Sequence, residues 1–360
     1  MNIHRGNPLA LIIALTGLLG LGGLALPPRD LHKPPSPLPP DLPKLTPLLA
    51  GGAGGAITTR EGWEKEREEI RKRWREYLGE LPRKRAPLKA QVLETEELPT
   101  FTRRRVKYQI EDGVFTDGYL LSPRAVPLER KQLPGVVVFH QTVATHAKQA
   151  AGVDASNPEL MIGVQLVERG YAVLCPRCFI FDDGAGYAEH VEKMKERHPG
   201  WKGMARMALD GIRAADYLES LAEVDRTRIG CIGHSLGAKE VLYAASLDER
   251  YKAAVFSEGG IGLDFSNWDA VWYLGEGIKK PGLGLEHHQL LSLIAPRAFL
   301  LLAGDSADGA RSWAFVDAAL PVYKLLGVEE KLGWVRHGLG HRYPVEARAA
   351  AEEFLDRYLK

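Results

Sequence analysis

One serine, with a glycine two positions to either side, lies between an apolar run and a segment with helical spacing of its apolar residues. Residues 229–232 lead into Gly233-His234-Ser235-Leu236-Gly237, and amphipathic spacing follows at once. A serine in such a strand–turn–helix junction projects its hydroxyl from a tight turn, which small residues two positions to either side permit. The pattern predicts that Ser235 is a nucleophile, and that the backbone amide of Leu236, at a helix N-terminus, stabilises an oxyanion.

A nucleophilic serine needs a histidine base, and an acid that fixes the tautomer of that histidine. In this arrangement the chain order is serine, then acid, then histidine. His337 and His341 both follow the last apolar run, at residues 332–335. His337 is too near the end of that run to reach easily across a cleft, so we expect His341 to be the base and keep His337 as the alternative.

Three carboxylates are candidates for the acid. Asp305 and Asp308 lie in the loop after the apolar run 298–302, and Glu258 follows the apolar run 253–256. The acid must reach back beneath the histidine, which favours Asp308 because it lies further into its loop than Asp305. Asp305 and Glu258 remain alternatives.

A second oxyanion donor is expected in the loop after the first buried strand. That loop reads His140-Gln141-Thr142, so the backbone amide of Gln141 or Thr142 is the candidate donor. We expect His140 to pack against or orient this loop and assign it no proton transfer.

Residues 180–203 and 264–288 are the two loops that are able to build a substrate pocket. The second carries Trp268, Trp272 and the pair His287-His288, whose rings either stack on a sugar or form the core of a lid. The side chains that we expect to border the pocket are His140, His234, Trp268, Trp272 and His287. The histidine pair has no partners at metal-ligand spacing except the adjacent Glu286, so we expect no metal site.

The elements that must position these residues alternate in type. Short apolar runs without polar alternation suit parallel strands buried on both faces, and amphipathic stretches separate them. Two strands, a hairpin turn at Asp112-Gly113 and a returning strand at 116–122 precede these runs, after a charged helical stretch at residues 61–79. The fold class predicted is α/β, a doubly wound, mostly parallel sheet with antiparallel front strands and an N-terminal helix.

The N-terminal residues have a different composition from the rest. An uncharged apolar run at residues 9–26 follows His4 and Arg5, which is typical of a signal peptide or an N-terminal anchor. The predicted division is a signal peptide or anchor at 1–26, a Pro/Gly-rich linker at 27–58 and a catalytic domain at 59–360. We therefore expect an exported protein, periplasmic or secreted, that touches a membrane only if its N-terminal segment is retained.

Charge and cysteine content exclude several classes. With 47 Lys+Arg against 46 Asp+Glu, the net charge of +1 gives no support to nucleic-acid binding. Three cysteines are too few for a disulfide scaffold. Cys175-Pro176-Arg177-Cys178 lacks the helix that a redox site needs, which leaves a local disulfide or buried thiols, and Cys231 is expected in the core.

Several ordered stretches resemble the α/β-hydrolase superfamily, and more narrowly the dienelactone-hydrolase/acetyl-xylan-esterase-like group of exported bacterial hydrolases. The similar stretches are His140-Gln141-Thr142, residues 169–174, residues 197–201, residues 233–237, Ser257-Glu258-Gly259-Gly260, residues 294–297 and Gly340-His341. The resemblance implies an α/β-hydrolase fold from about Arg60 onward, a triad carried onto Ser235, Asp308 and His341, and no metal or organic cofactor. Dienelactone hydrolase itself uses a cysteine nucleophile, so the serine here does not imply lactone specificity.

These residues predict a serine hydrolase that acts on a carboxylic ester through an acyl-enzyme. Carbohydrate esters are the substrate class that the resemblance suggests, so the expected partner is a small-molecule or carbohydrate ester. Two different functions remain open: an exported peptidase or amidase of the same fold, and a hydrolase-fold module without activity that binds glycans.

Overall fold

Nine strands form one sheet in the residues that the computed structural model describes, which are 31–51, 55–124, 132–181 and 186–360. The strands are β1 (Gln91–Glu97), β2 (Phe101–Glu111), β3 (Val114–Pro123), β4 (Leu133–Phe139), β5 (Ala172–Pro176), β6 (Val224–His234), β7 (Tyr251–Ser257), β8 (Ala298–Ala303) and β9 (Leu332–Arg336). Their order across the sheet is β1-β2-β3-β5-β4-β6-β7-β8-β9.

The pairing directions follow the hydrophobic pattern of the strands. Pairs from β5 through β4, β6, β7 and β8 to β9 are parallel, whereas β1, β2 and β3 pair antiparallel with their neighbours. Every residue of β4, β5 and β8 is buried, as expected for strands covered on both faces. The hairpin between β2 and β3 turns at Gly113, whose φ of 77° is readily adopted by glycine. The predicted fold class is confirmed.

Helices cover both faces of the sheet. They are α1 (Arg60–Leu78), α2 (Ala147–Ala150), α3 (Ile162–Glu168), α4 (Tyr187–Arg197), α5 (Gly203–Glu219), α6 (Leu236–Leu247), α7 (His287–Ile294), α8 (Trp313–Leu326) and α9 (Val345–Leu359). One core cluster contains buried residues of α1 and α4 to α8, and a second contains those of α2, α3 and α9. Residues 180–203 were expected to form a loop, but helix α4 lies within this range. Its sequence is highly charged, and the helix packs on the core through the buried side chains of Val191 and Met194.

Part of the segment interpreted as a linker packs on the domain. The amide of Trp334 in β9 donates to the carbonyl of Leu31, at 3.0 Å. Nε2 of His288 in α7 lies 3.0 Å from the carbonyl oxygen of Thr46, and the side chain of Leu48 is buried. The described residues from Leu31 to Lys360 belong to one compact unit.

The predicted signal peptide or anchor at 1–26 lies outside the described residues. Among the described residues, no helix combines the length and the apolar character needed to cross a membrane.

Candidate active site

Ser235 occupies a strained turn between β6 and α6. Its backbone has φ 57° and ψ −117°, a region that non-glycine residues rarely adopt and that persists only when the surroundings enforce it. A Cβ atom on Gly233 would lie 2.2 Å from the carbonyl carbon of Gly237, and one on Gly237 would lie 2.1 Å from the oxygen of Phe139. Glycine at these positions therefore lets the turn close, as the sequence pattern predicts.

His341 joins the serine to a carboxylate. Its Nε2 lies 2.9 Å from Oγ of Ser235, and its Nδ1 lies 3.2 Å from Oε2 of Glu258. Because an ionised carboxylate only accepts, Nδ1 carries the proton and Nε2 is free to accept from the serine hydroxyl. The imidazole is 43% exposed, whereas the Glu258 side chain is closed to solvent. This geometry allows His341 to remove a proton from Ser235.

The favoured acid, Asp308, is not the carboxylate beside His341. Asp308 accepts hydrogen bonds from the amides of Gly260 and Ile261, at 2.6 and 2.8 Å, and from the hydroxyl of Ser312, at 2.8 Å. The turn after β7 directs the Glu258 side chain under the histidine, while the loop after β8 directs Asp308 toward the backbone of that same turn. The preference for Asp308 over Glu258 is therefore corrected.

Asp305 and His337, the second candidates for acid and base, contact different groups. Asp305 forms a bidentate pair with Arg336, with both distances at 2.6 Å. Nδ1 of His337 accepts from the amide of Leu339 at 3.2 Å. Neither contact involves Ser235 or His341.

A buried histidine, His234, directly precedes the nucleophile. Nδ1 of His234 lies 3.0 Å from Oγ of Ser257, and the ring of His234 lies 4.9 Å from that of His341. Burial lowers the pKa of His234 to about 3, so this ring is neutral at pH 7. It therefore places no positive charge beside His341.

His140 crosslinks the loops that follow β4 and β5. Its Nε2 accepts from the amide of Cys178 at 3.1 Å, so its Nδ1 carries the proton and donates to the carbonyl of Gln141, at 2.7 Å. Burial lowers the pKa of His140 to about 3. A neutral ring thus fixes the backbone beside Gln141 and Thr142, the two candidate oxyanion donors along with Leu236.

The expected pocket residues divide into two groups. His140, His234, Trp268 and His287 are each 2% exposed or less, so for Trp268 and His287 the burial fits the core of a lid better than a surface that stacks on a sugar. Trp268 donates from its indole nitrogen to the carbonyl of Gly260 at 2.7 Å, and Nδ1 of His287 lies 2.7 Å from the carbonyl oxygen of Ile261. These two rings hold the turn that carries Glu258, because long-range packing against α1 and α6 buries them.

Trp272 is only partly buried and belongs to a row of aromatic rings. Its ring lies 5.6 Å from that of Tyr187, which lies 5.1 Å from Phe181, which in turn lies 5.1 Å from His140. The row connects three loops at the carboxyl edge of the sheet, where sites form in this architecture.

Lys239 is a buried cation that the sequence pattern does not single out. Its Nζ lies 3.7 Å from the centre of the Trp268 ring and 2.9 Å from Oγ of Ser266. Burial lowers the pKa of Lys239 to about 7. Its sequence spacing could have pointed to it. Lys239 lies four residues, about one helical turn, after Ser235, and that spacing puts both residues on one side of α6.

Neither a metal site nor a disulfide accompanies these residues in the described parts of the chain. Across these ranges, no group of three or more His, Cys, Asp or Glu side chains is placed to hold a metal ion. Cys175, Cys178 and Cys231 are free and buried.

The chain is similar to several known proteins. Residues 116–266 match the model of the dienelactone hydrolase family. The chain is 28% identical over 313 residues to "Putative hydrolase YtaP" of Bacillus subtilis (strain 168), across 81% of this chain and all of that protein. It is 27% identical over 179 residues to a 4-O-methyl-glucuronoyl methylesterase of Cerrena unicolor, across 41% of this chain and 38% of that protein.

Among solved structures, a glucuronoyl esterase from Solibacter usitatus superposes with a TM-score of 0.73 at 19% identity. The superposition covers 89% of this chain and 99% of that one. At this identity the likeness establishes a shared fold.

Proposed function

Since the chain contains a dienelactone hydrolase family domain within an α/β-hydrolase fold, we propose that it is a serine hydrolase of carboxylic esters. The observation that carries the proposal is the continuous contact from Ser235 through His341 to Glu258 at the carboxyl edge of the sheet. A nucleophile, a base and an orienting acid within hydrogen-bonding reach are the groups that acyl transfer requires.

The proposed reaction has two steps. Ser235 Oγ attacks the ester carbonyl while Nε2 of His341 takes its proton, and the amides of Leu236 and of Gln141 or Thr142 stabilise the charge on the carbonyl oxygen. The protonated His341 then gives its proton to the leaving alcohol, which departs and leaves an acyl group on Ser235. Water, deprotonated by His341, attacks that acyl group; the bond to Ser235 Oγ then breaks, His341 returns the proton to Oγ, and the acid is released. Glu258 holds the Nδ1 proton throughout and stabilises the imidazolium.

We propose a carbohydrate ester as the substrate class. The support is the likeness to a 4-O-methyl-glucuronoyl methylesterase and to a carbohydrate esterase, each over part of the chain. A panel of methyl-glucuronoyl, acetylated and feruloylated carbohydrate esters, with a peptide amide for comparison, tests the class. Turnover of the amide but of none of the esters would favour a peptidase or amidase.

The mechanism is tested with Ser235→Ala. We expect hydrolysis of p-nitrophenyl acetate to fall by about three orders of magnitude or more, and labelling by a fluorophosphonate probe to disappear. Ser220→Ala is the matched control, because Ser220 is exposed at the C-terminal end of α5 and its hydroxyl donates to the carbonyl of Tyr217 in that same helix. Unchanged turnover in Ser235→Ala would refute the proposal.

We also propose that residues 1–26 direct export of the protein, as their apolar composition indicates. Fractionation of cells that express the full chain tests this, with Leu15→Arg as the variant that interrupts the apolar run. The full chain should leave the cytoplasm and the variant should stay there. Equal amounts of the two in the cytoplasm would contradict the proposal.

A further inference from the structure

Two neighbouring loops exchange hydrogen bonds through their carboxylates. β7 and β8 are adjacent and parallel, so the loops that follow them lie side by side at the carboxyl edge of the sheet. The Glu258 carboxylate, on the first loop, accepts from the amides of Gly304 and Ala307 on the second, the latter at 2.9 Å.

The exchange is reciprocal. The Asp308 carboxylate, on the second loop, accepts from the amides of Gly260 and Ile261 on the first, at 2.6 and 2.8 Å. Asp308 is fully buried, and its third donor is the hydroxyl of Ser312 at 2.8 Å. With three donors on its two oxygens, this carboxylate is satisfied without a contact to His341.

The turn that Asp308 holds is a strained one. Glu258 has φ 53°, which a residue with a Cβ atom adopts only at an energetic cost, and Gly260 has φ 72°. Such a conformation persists only where neighbouring groups enforce it. Charge-assisted hydrogen bonds from two consecutive amides to one carboxylate are strong enough to do so.

We propose that Asp308 is a positioning residue that holds the turn at 258–261 so that the Glu258 carboxylate reaches His341. This inference rests on the proposed function, because it assigns Asp308 a role only through Glu258. Asp308 has two charged neighbours, Glu258 and Lys239.

A double-mutant cycle tests the proposal. Asp308→Ala should lower kcat for p-nitrophenyl acetate about 10- to 100-fold in the wild-type background. In the Glu258→Ala background the same change should alter kcat by less than about threefold, because residues that act as one unit are non-additive. If the double variant loses kcat by the product of the two single losses, the two residues act independently and the proposal is overturned. An Asp308→Ala protein with full activity would also overturn it.

The split between kcat and KM gives a second readout. A turn that no longer aims Glu258 at His341 weakens proton transfer and leaves the substrate pocket in place. Asp308→Ala and Glu258→Ala should therefore both lower kcat with KM within about twofold of wild type, in protein that circular dichroism shows to be folded. A loss of kcat/KM in Asp308→Ala that comes from KM alone would contradict the proposal.

Two further measurements keep the outcomes separate. If Asp308→Ala does not fold, Asp308→Asn retains one acceptor oxygen and should give a smaller loss of kcat with KM again near the wild-type value. If Ser235→Ala retains activity, the proposed function fails. If Ser235→Ala is inactive but the cycle is multiplicative, only the role of Asp308 fails.

Discussion

Nδ1 of His341 lies 3.2 Å from Oε2 of Glu258, a carboxylate that also accepts from two backbone amides. All three donors are N–H groups, so both oxygens of Glu258 must be acceptors. An ionised carboxylate meets this need and an amide does not, because one of its two terminal atoms is a donor. The site is therefore specific for a carboxylate at position 258, not only for a side chain of that shape.

Glu258→Gln is expected to lower kcat/KM by about two to four orders of magnitude, since an amide at this position favours the wrong tautomer of His341. Steady-state hydrolysis of p-nitrophenyl acetate measures the loss. Asp305→Asn is the matched control, because Asp305 lies in the neighbouring loop and pairs with exposed Arg336. We expect that control to stay within about twofold of wild type. Loss of activity in Asp305→Asn with retention in Glu258→Gln would reverse the assignment.

The sequence is sufficient to predict the fold and two members of the contact, Ser235 and His341, but not the third, Glu258. Ser235 and His341 occupy positions that the glycine pattern and the chain order specify. The choice between Glu258 and Asp308 depends on where two adjacent loops aim their side chains. Both residues follow buried strands, so spacing alone does not separate them.

Burial of the pocket candidates is a second feature that local pattern does not reveal. Trp268 and His287 are enclosed because α1, far away in the chain, places Trp74 against the ring of His287 at 5.6 Å. The local sequence around an aromatic loop residue does not show whether its ring is exposed to solvent or buried against a distant helix. Only the tertiary packing distinguishes a surface that stacks on a ligand from one that supports a turn.

Lys239 should make stability depend on pH. Burial lowers its pKa to about 7 in the folded chain, against an ordinary value of 10.5. The unfolded chain therefore binds more protons between these values, so this residue makes the free energy of unfolding rise with pH across that window. In Lys239→Met the slope should be smaller by up to about 1.4 kcal/mol per pH unit.

Chemical denaturation at several pH values from about 7 to about 9.5 measures that slope. Lys252→Met is the control, since Lys252 is an exposed residue of β7, and it should leave the slope unchanged. Equal slopes in wild type and Lys239→Met would show that the buried amine does not titrate in this range.

The three cysteines should behave as protected thiols. Cys175, Cys178 and Cys231 are buried, and burial raises the pKa of each thiol, which disfavours the reactive thiolate. The native protein should therefore react slowly with DTNB at about pH 8, and all three thiols of the chain should react after unfolding in guanidinium chloride. One reactive thiol instead of three after unfolding would reveal a disulfide between Cys175 and Cys178.

The proline-rich segment before α1 should contribute to the stability of the domain. Leu48 is 8% exposed and belongs to the main core cluster, whereas Leu38 of the same segment is 52% exposed. Removal of a buried leucine side chain loses its transfer free energy and leaves a cavity, so Leu48→Ala should lower the free energy of unfolding by about 2 kcal/mol or more. Leu38→Ala should change it by less than about 0.5 kcal/mol. Denaturant unfolding of the full chain measures both values. Equal and small effects would mean that the segment does not pack on the domain in solution.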